Sequence, residues 1–255
     1  MTQGPGPPAI ATAGWAIPRA VADAFPSAGS GLERYAARFD AVEINSTFYR
    51  SHRAGTYARW AAATPAHFRF ALKLPRAITH EARLVGAAPL LAAFRAETRL
   101  LEGKLGPLLI QLPPKLAFDP GAAELFFADL RRLWPETVVC EPRHPSWFEA
   151  EADGLLLAFR IARVAADPAR HPAASTPGGW RGVAYRRLHG SPRVYSSPYT
   201  DEALASLAAE ITGEAGVESW CVFDNTASGA AAADALRLQR LLQSAPGAEP
   251  DTLSA

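Results

Sequence analysis

The sequence predicts an α/β fold: a single closed (β/α)8 barrel of the TIM type. Eight short apolar runs with the character of strands recur along the 255 residues, and their starts lie roughly 20 to 40 residues apart. Patterns with apolar residues at helical spacing fall between most of these runs. Repeated strand–helix units form parallel strands with right-handed crossovers, so eight such units favour a closed barrel. An open doubly wound sheet is the alternative.

The predicted strands follow a short polar N-terminal segment. In order they are AIATAGWA at 9–16, AVEIN at 41–45, FRFALKL at 68–74, PLLIQL at 107–112, TVVCEP at 137–142, ARVAAD at 162–167, GVAYRRLHG at 182–190 and SWCVFDN at 219–225. The helical patterns between them are LERYAARF, PLLAAFRAETRLLEG, GAAELFFADLRRLW, SWFEAEADGLLLAFRI, EALASLAAEI and AAAADALRLQRLLQS. The segment after Asp167 shows no helical pattern. Residues 1–8 and 244–255 are rich in Gly, Pro and Ser, so we expect disordered ends around one domain over 9–243.

Composition narrows the class of protein. The formal net charge is +1, which provides no long-range field to attract nucleic acid or an anionic membrane. The sequence shows neither a secretory leader pattern nor an apolar run of ~18 residues. Two cysteines, Cys140 and Cys221, lie in apolar runs and favour a reducing compartment. We therefore expect a cytoplasmic protein without a membrane span, and nucleic acid is not a favoured partner.

Polar side chains stand at the C-terminal end of nearly every predicted strand. They are Glu43, Asn45, Lys73, Gln111, Glu141, Arg143, His144, Asp167, Arg187, His189, Asp224 and Asn225. The C-terminal strand ends of a TIM-type barrel converge on the active site. Because side chains alternate along a strand, Glu141 shares a face with Arg143, and Arg187 shares one with His189. The sequence thus predicts a site at the mouth of the barrel that the C-terminal strand ends form.

Each of these residues also has a structural explanation when taken alone. Glu43 could form a salt bridge with Lys73, and Asp224 could cap the last helix. Taken together, four carboxylates, three permanent cations and two histidines would be unfavourable to bury for packing alone. The combined pattern favours a functional site.

Six motifs in fixed order resemble the YecE-like family, domain of unknown function 72. They are VEINSTFYR, FALKLPRAITH, LGPLLIQLPPKL, EPRHPSWF, YRRLHG and FDNTASGAAAADALRLQRLL. The resemblance runs from about Ala11 to Leu242 and implies a TIM-type barrel related in shape to the xylose isomerase and endonuclease IV group, without an agreed activity. The characteristic family positions fall on Glu43, Asn45, Tyr49, Arg50, Lys73, His80, Gln111, Glu141, Arg143, His144, Trp147, Arg187, His189 and Asn225.

These residues suggest roles toward a small anionic polar ligand. The candidates for catalysis, by acid/base hydrolysis or isomerisation, are Glu43, Lys73, Glu141 and His189. The candidates for ligand binding are Asn45, Tyr49, Arg50, His80, Gln111, Arg143, His144, Arg187 and Asn225, with the two arginines placed to hold a phosphate or carboxylate group. A non-catalytic barrel that binds a metabolite, a protein partner or a nucleic acid is the alternative.

Cofactor motifs are missing from the sequence. It has no Walker or dinucleotide glycine-rich loop, no nucleophile elbow and no close pair of histidines on a helix, so no nucleotide cofactor is expected. A divalent metal among the carboxylates and histidines at the mouth is an option, but three neighbouring cations would repel a dication. A metal is therefore not favoured, and the sequence carries no signal for an oligomeric state.

Overall fold

The computed structural model describes residues 6–214 and 216–244. The predicted disordered ends therefore fall mainly on residues 1–5 and 245–255, which lie outside the described residues. The strands are β1 Ala9–Thr12, β2 Ala41–Ile44, β3 Arg69–Lys73, β4 Leu105–Gln111, β5 Val138–Glu141, β6 Ile161–Arg163, β7 Ala165–Asp167, β8 Gly178–Gly179, β9 Val183–Leu188 and β10 Glu218–Phe223. The α-helices are α1 Gly31–Ala36, α2 Ala54–Ala62, α3 Ala88–Thr98, α4 Pro120–Leu133, α5 Ala150–Ala158, α6 Asp201–Gly213 and α7 Ala230–Gln243.

The strands form two sheets. One has four strands in the order β1-β10-β9-β7, and the other has six in the order β2-β3-β4-β5-β6-β8. Among the described strands, only the β6–β8 pair is antiparallel. The predicted α/β class is confirmed, with mainly parallel strands and helical crossovers. The single closed barrel is not confirmed, because the two sheets are not closed into one.

The predicted sixth strand, 162–167, is interrupted at Val164. Its first part, β6, pairs with β5, and its second part, β7, pairs with β9 in the other sheet. The Val164 amide donates to the carbonyl of Cys140 at 2.8 Å. One extended segment therefore belongs to both sheets, a change of partner that apolar periodicity does not reveal.

Several helices differ from the sequence-based expectation, and α3, for example, ends at Thr98, where a 3-10 helix over Arg99–Lys104 takes up the rest of its pattern. The pattern at 146–161 yields α5 only over Ala150–Ala158, because Pro145–Phe148 forms a 3-10 turn and Arg160 has a φ of 53°. Helix α2 was not predicted. In this helix Tyr57 is fully buried and Trp60 is partly buried. Two large apolar residues are too few to produce a recognisable helical periodicity in the sequence.

A small apolar cluster lies beneath the polar strand ends. It consists mainly of strand residues from both sheets, including Ala11, Ala71, Val139 and Tyr185. A larger cluster packs the opposite strand faces against the helices. Along β9, Tyr185 belongs to the small cluster, and Arg187 follows two residues later on the same face. Arg187 belongs to the charged layer, the buried set of Glu43, Lys73, Glu141, Arg187, His189 and Asp224. The alternation of strand side chains thus places charge directly above apolar packing.

Candidate functional site

Arg187 lies at the centre of the charged layer and is fully buried. Its Nε and Nη2 donate to Glu43 at 3.0 and 2.8 Å. Nη1 donates to Glu141 at 2.7 Å, and Nη2 also donates to Asp224 at 2.9 Å. Burial lowers the pKa of Arg187, but the three carboxylates outweigh burial and hold it well above its usual value. This guanidinium therefore fixes carboxylates from three different strand ends.

Glu43, from the end of β2, is also fully buried. Besides the two bonds from Arg187, its Oε2 accepts a hydrogen bond from the Tyr185 hydroxyl at 2.9 Å. Burial, and then the charge of Glu43, raises the pKa of Tyr185 well above its usual value. Gly14 donates its amide to the Glu43 carbonyl at 2.8 Å, which ties β2 to the chain after β1. Glu43 is thus held on all sides by protein groups.

Glu141 ends β5 and is contacted by four side chains, two of which are those of Arg187 and His189. Gln111, its register partner on β4, donates Nε2 to both carboxylate oxygens at 3.0 and 3.1 Å. Arg143 donates Nε and Nη2 to Oε1 at 3.0 and 2.9 Å. Burial raises the pKa of Glu141, but Arg187 and His189 outweigh it and hold this pKa well below its usual value. Glu141 is therefore an anion at neutral pH.

His189 pairs with Asp224. Its Nδ1 lies 3.0 Å from Asp224 Oδ2, while Nε2 lies 3.5 Å from Glu141 Oε1 without forming a hydrogen bond to any described residue. Burial lowers the pKa of His189, but the Glu141 charge and the Asp224 hydrogen bond outweigh it and raise this pKa. Burial raises the pKa of Asp224, yet Arg187 and His189 bring it below its usual value. The pair holds the imidazole in one orientation and favours its protonated form.

Lys73, the last residue of β3, is buried beside an aromatic ring. Its Nζ lies 4.3 Å from the centre of the Phe48 ring. Burial, and then the charge of Arg187, lowers the pKa of Lys73 to about 8. His80 packs edge-on against Phe48 at 4.9 Å, and burial, followed by the charge of Lys73, lowers its pKa. An amine and an imidazole with lowered pKa values therefore flank one phenyl ring.

Other predicted site residues lie at the edge of this layer or away from it. Asn45 begins a 3-10 turn after β2, and its buried Oδ1 lacks a hydrogen-bond partner among the described residues. Tyr49 and Arg50 follow in exposed positions. His144 accepts from the Ser146 amide and caps the turn Pro145–Phe148. These contacts give His144 a local structural role and leave Tyr49 and Arg50 open to solvent.

Asn225 and Trp147 are held by protein contacts. Asn225 is fully buried and donates Nδ2 to Asp234 at 2.8 Å and to the Ser197 carbonyl at 3.0 Å. Trp147 is buried and donates Nε1 to the Leu116 carbonyl at 3.0 Å. Asn225 thus lies directly after the charged layer, whereas Trp147 packs in the core.

A cavity of about 130 Å³ opens beside β5 and β9. Its lining includes Glu141, Arg143, Arg170, His189 and Tyr195. The Tyr195 ring lies edge-on to the His189 ring with centroids 5.6 Å apart. Burial lowers the pKa of Arg143, but Glu141 and Tyr195 outweigh it and raise this pKa. The cavity therefore combines a permanent cation with a titratable imidazole.

Sequence reasoning missed Tyr185 and Tyr195, as well as Arg170 and Phe48, and left the role of Asp224 open. Tyr185 stands two residues before Arg187, so strand alternation could have placed it on the same face. Asp224 was predicted at a strand end, but whether its side chain reaches the site was left open. In the structure it contacts both Arg187 and His189. Tyr195 lies in a loop with a φ of 66°, and no periodic pattern marks it.

The described part of the chain shows no group of three His, Cys, Asp or Glu side chains arranged to hold a metal ion. The carboxylates that converge instead bind the guanidinium of Arg187. Within residues 6–214 and 216–244, no helix has the length and apolar character needed to cross a bilayer.

Comparison with known proteins finds several relatives. UPF0759 protein YecE from Escherichia coli K12 is 32% identical over 120 residues, a stretch that covers 47% of this chain and 43% of YecE. The match therefore spans less than half the length of that relative. A crystal structure of a DUF72 family protein from Enterococcus faecalis V583 superposes with a TM-score of 0.75 at 19% identity, covering 96% of this chain and 99% of the other. One from Thermotoga maritima MSB8 gives a TM-score of 0.69 at 24% identity, covering 94% and 98%.

The structural likeness, at these low identities, concerns the fold alone. The family assignment rests on the sequence, which matches the profile described as "Protein of unknown function DUF72" over residues 9–254. This match extends over nearly the whole chain and confirms the resemblance carried by the six motifs. The chain belongs to the DUF72 family.

Proposed function

We propose that the protein binds a small polar ligand carrying a phosphate or carboxylate group at the C-terminal strand ends and promotes an acid/base reaction on it. The observation that carries this proposal is the cavity beside β5 and β9, where Arg143 and His189 line the same space. A permanent cation attracts the anionic group, and an imidazole nearby exchanges protons near neutral pH. The two requirements of the proposed function thus meet in one cavity.

The anion-binding role falls mainly to Arg143. Arg187 is fully buried and already donates four hydrogen bonds to carboxylates, so it positions Glu43, Glu141 and Asp224 rather than reaching a ligand. The Arg143 side chain is 16% exposed and lines the cavity. Guanidinium groups suit this task because their planar donors match two oxygens of a phosphate or carboxylate.

The acid/base role falls mainly to His189. Its Nδ1 is held by Asp224, whereas its buried Nε2 lies 3.5 Å from Glu141 Oε1 and carries no hydrogen bond to a described residue, so we assign the proton transfer to Nε2. Glu43 and Glu141 shape the field around it as bound carboxylates. Asn45, with its unsatisfied Oδ1, and His80, beside Lys73, supply further polar contacts. Tyr49, Arg50, Gln111, His144 and Asn225 complete the proposed ligand-binding set.

The proposed architecture is one (β/α)8 barrel domain over residues 9–243. Two observations support closure of the two sheets into a barrel. A single parallel bridge, between Ala13 and Glu43, joins the ends of β1 and β2. On the other side, Val164 connects β6 directly to β7 within one extended segment. The free, buried Cys140 and Cys221 support a cytoplasmic location, where thiols stay reduced.

Thermal unfolding with inorganic phosphate as the probe tests the proposal. A ligand that binds only the folded state, at 100 times its Kd, stabilises by about 2.7 kcal/mol. Phosphate also stabilises proteins generally, so variants provide the readout. We expect phosphate to stabilise the parent and Arg181→Gln, which alters an exposed arginine before β9, more than it stabilises Arg143→Gln. Equal stabilisation of both variants would show that Arg143 does not bind the anion.

A non-catalytic binding protein is the second candidate. The observation that favours it is the complete engagement of Glu43 by Arg187 and Tyr185, which leaves this carboxylate no open side for proton transfer. Turnover separates the two functions once a bound ligand is known. If the parent does not turn that ligand over, the binding function is the correct one. Turnover that His189→Gln and Glu141→Gln leave unchanged would show that these two residues do not act as acid and base.

A further inference from the structure

Lys73 differs from the other lysines of the chain. The chain has three, and Lys104 donates Nζ to the carbonyls of Ala61 and Thr64, while Lys115 is exposed. Lys73 is 4% exposed, and no hydrogen bond or ion pair joins its Nζ to any residue within the described ranges. A lysine so deeply buried is usually paired. This amine lies over the Phe48 ring, and its N–H groups have no hydrogen-bond acceptor among the described residues.

The groups around Lys73 come from several elements. Arg187 on β9, Glu43 on β2, Glu141 on β5 and Asp224 after β10 all act on its charge, and His80 lies nearby after β3. The three carboxylates are already bound by Arg187, so they compensate the ammonium only in part. The arrangement disfavours the charged form of the amine. It resembles, in physical terms, a lysine activated by burial and a neighbouring cation.

We infer that Lys73 is a nucleophile that forms an imine with the carbonyl carbon of the ligand, which is accordingly an anionic aldehyde or ketone. This inference rests on the proposed function, because it assigns the substrate class of the same strand-end site. The geometric basis is a buried, unpartnered amine within the charged layer that also holds the Asp224–His189 pair.

The proposed step balances without an oxidant or reductant. The lone pair of neutral Nζ attacks the carbonyl carbon, so a C–N bond forms and the carbonyl π electrons move to oxygen, which takes up a proton. An amine proton is lost to give the neutral carbinolamine. Protonation of its hydroxyl group by a general acid and departure of water then break the C–O bond, as the nitrogen lone pair forms the C=N bond. The net change consumes one amine, one carbonyl and one proton, and yields one protonated imine and one water.

The lowered pKa makes the amine available at neutral pH. With a pKa of about 8, roughly a quarter of Lys73 is neutral near pH 7.5, against about 0.1% of a lysine at the reference value. A weaker base is also a weaker nucleophile, which offsets part of this gain. The expected net advantage in rate is roughly tenfold over an ordinary lysine.

Reductive alkylation tests the inference within a single molecule. Glycolaldehyde phosphate and pyruvate serve as probes at about pH 7.5, with cyanoborohydride to reduce the imine to a stable secondary amine. Mass spectrometry of peptides then measures labelling at each lysine, and Lys115 is the internal control. We expect Lys73 to be labelled roughly tenfold faster than Lys115 in the folded protein, and this preference to vanish in guanidinium. Labelling of Lys73 no faster than that of Lys115, with both probes, overturns the inference.

The Arg143→Gln variant separates this inference from the proposed function. If phosphate stabilises the parent through Arg143 while Lys73 stays unlabelled, the imine fails and the anion site stands. If Lys73 is labelled preferentially but at the same rate in Arg143→Gln and in excess phosphate, the nucleophile stands and the anion-binding role of Arg143 fails. Slower labelling in Arg143→Gln, with Arg181→Gln as the matched control, supports both.

Discussion

At the scale of single residues, Arg187 decides how the charged layer is built. One guanidinium binds three carboxylates that would otherwise repel one another in a buried space. Arg187 and Glu43 are both fully buried, and Arg187 is the cation that pairs with Glu43, so loss of Arg187 leaves the Glu43 carboxylate buried without its ion-pair partner. The residue therefore acts as a positioning group for Glu43, Glu141 and Asp224.

Replacing Arg187 tests this role. We expect Arg187→Ala to lower the free energy of unfolding by about 3–5 kcal/mol, since removing one partner of a buried pair leaves uncompensated charge. Urea unfolding followed by circular dichroism measures the change. The exposed Arg181→Ala should stay within about 0.5 kcal/mol of the parent. A loss for Arg187→Ala as small as that of Arg181→Ala would mean that the carboxylates do not depend on the guanidinium.

His189 should make stability depend on pH. Its pKa is raised in the folded protein, so its contribution is fully present below the unfolded value of about 6.5 and is lost as pH rises through the folded value. We therefore expect the difference in unfolding free energy between the parent and His189→Gln to shrink as pH rises from about 6 to about 9. Urea titrations across this range measure it. A difference that grows with pH would contradict the sign of the shift.

At the scale of elements, helix α7 supports the site from behind. Asp234, buried on this helix, accepts hydrogen bonds from the Asn225 side chain and the Tyr199 amide, and it pairs with Arg237. The last strand end is thus fixed by the helix that follows it. Asn225, at the mouth, is therefore held in place by the Asp234 carboxylate, which lies behind the site and out of reach of a ligand.

The role of α7 predicts a contrast between two partners of Arg237. Asp234→Ala leaves buried donors without an acceptor and should cost about 1–3 kcal/mol of unfolding free energy. Asp201→Ala removes an exposed partner of the same arginine and should cost about 0–1 kcal/mol. Chemical denaturation of both variants gives the comparison. Equal effects would show that Asp234 contributes only a surface ion pair.

The sequence predicted the elements better than the contacts between them. Period-two alternation placed Arg187 with His189 and Glu141 with Arg143, because the face of a strand residue follows from its position alone. Alternation does not reveal which charges meet, so the full engagement of Arg187 by carboxylates could not be foreseen. Tyr195 escaped because a loop has no period. The split of 162–167 between two sheets escaped because pairing partners are set by tertiary packing.

At the scale of the whole molecule, the seams between the two sheets decide whether the strands behave as one barrel. The Gly14 amide donates to the Glu43 carbonyl at one seam, and the Val164 amide donates to the Cys140 carbonyl at the other. If the sheets form one closed unit, both amides should exchange with solvent only through global unfolding. Native-state hydrogen exchange should then give them the same opening free energy as the Leu109 amide in β4. Much faster exchange at the seams would show sheets that open separately.

The proposed anion site at the strand ends depends on Arg143. Native mass spectrometry of the protein purified from its own host tests this site without assuming a ligand, because it measures the mass of whatever remains bound. We expect a bound molecule with a phosphate or carboxylate group, present in the parent and in Arg181→Gln and depleted in Arg143→Gln. A bound molecule without an anionic group, or equal occupancy in the two variants, would rule out anion binding through Arg143.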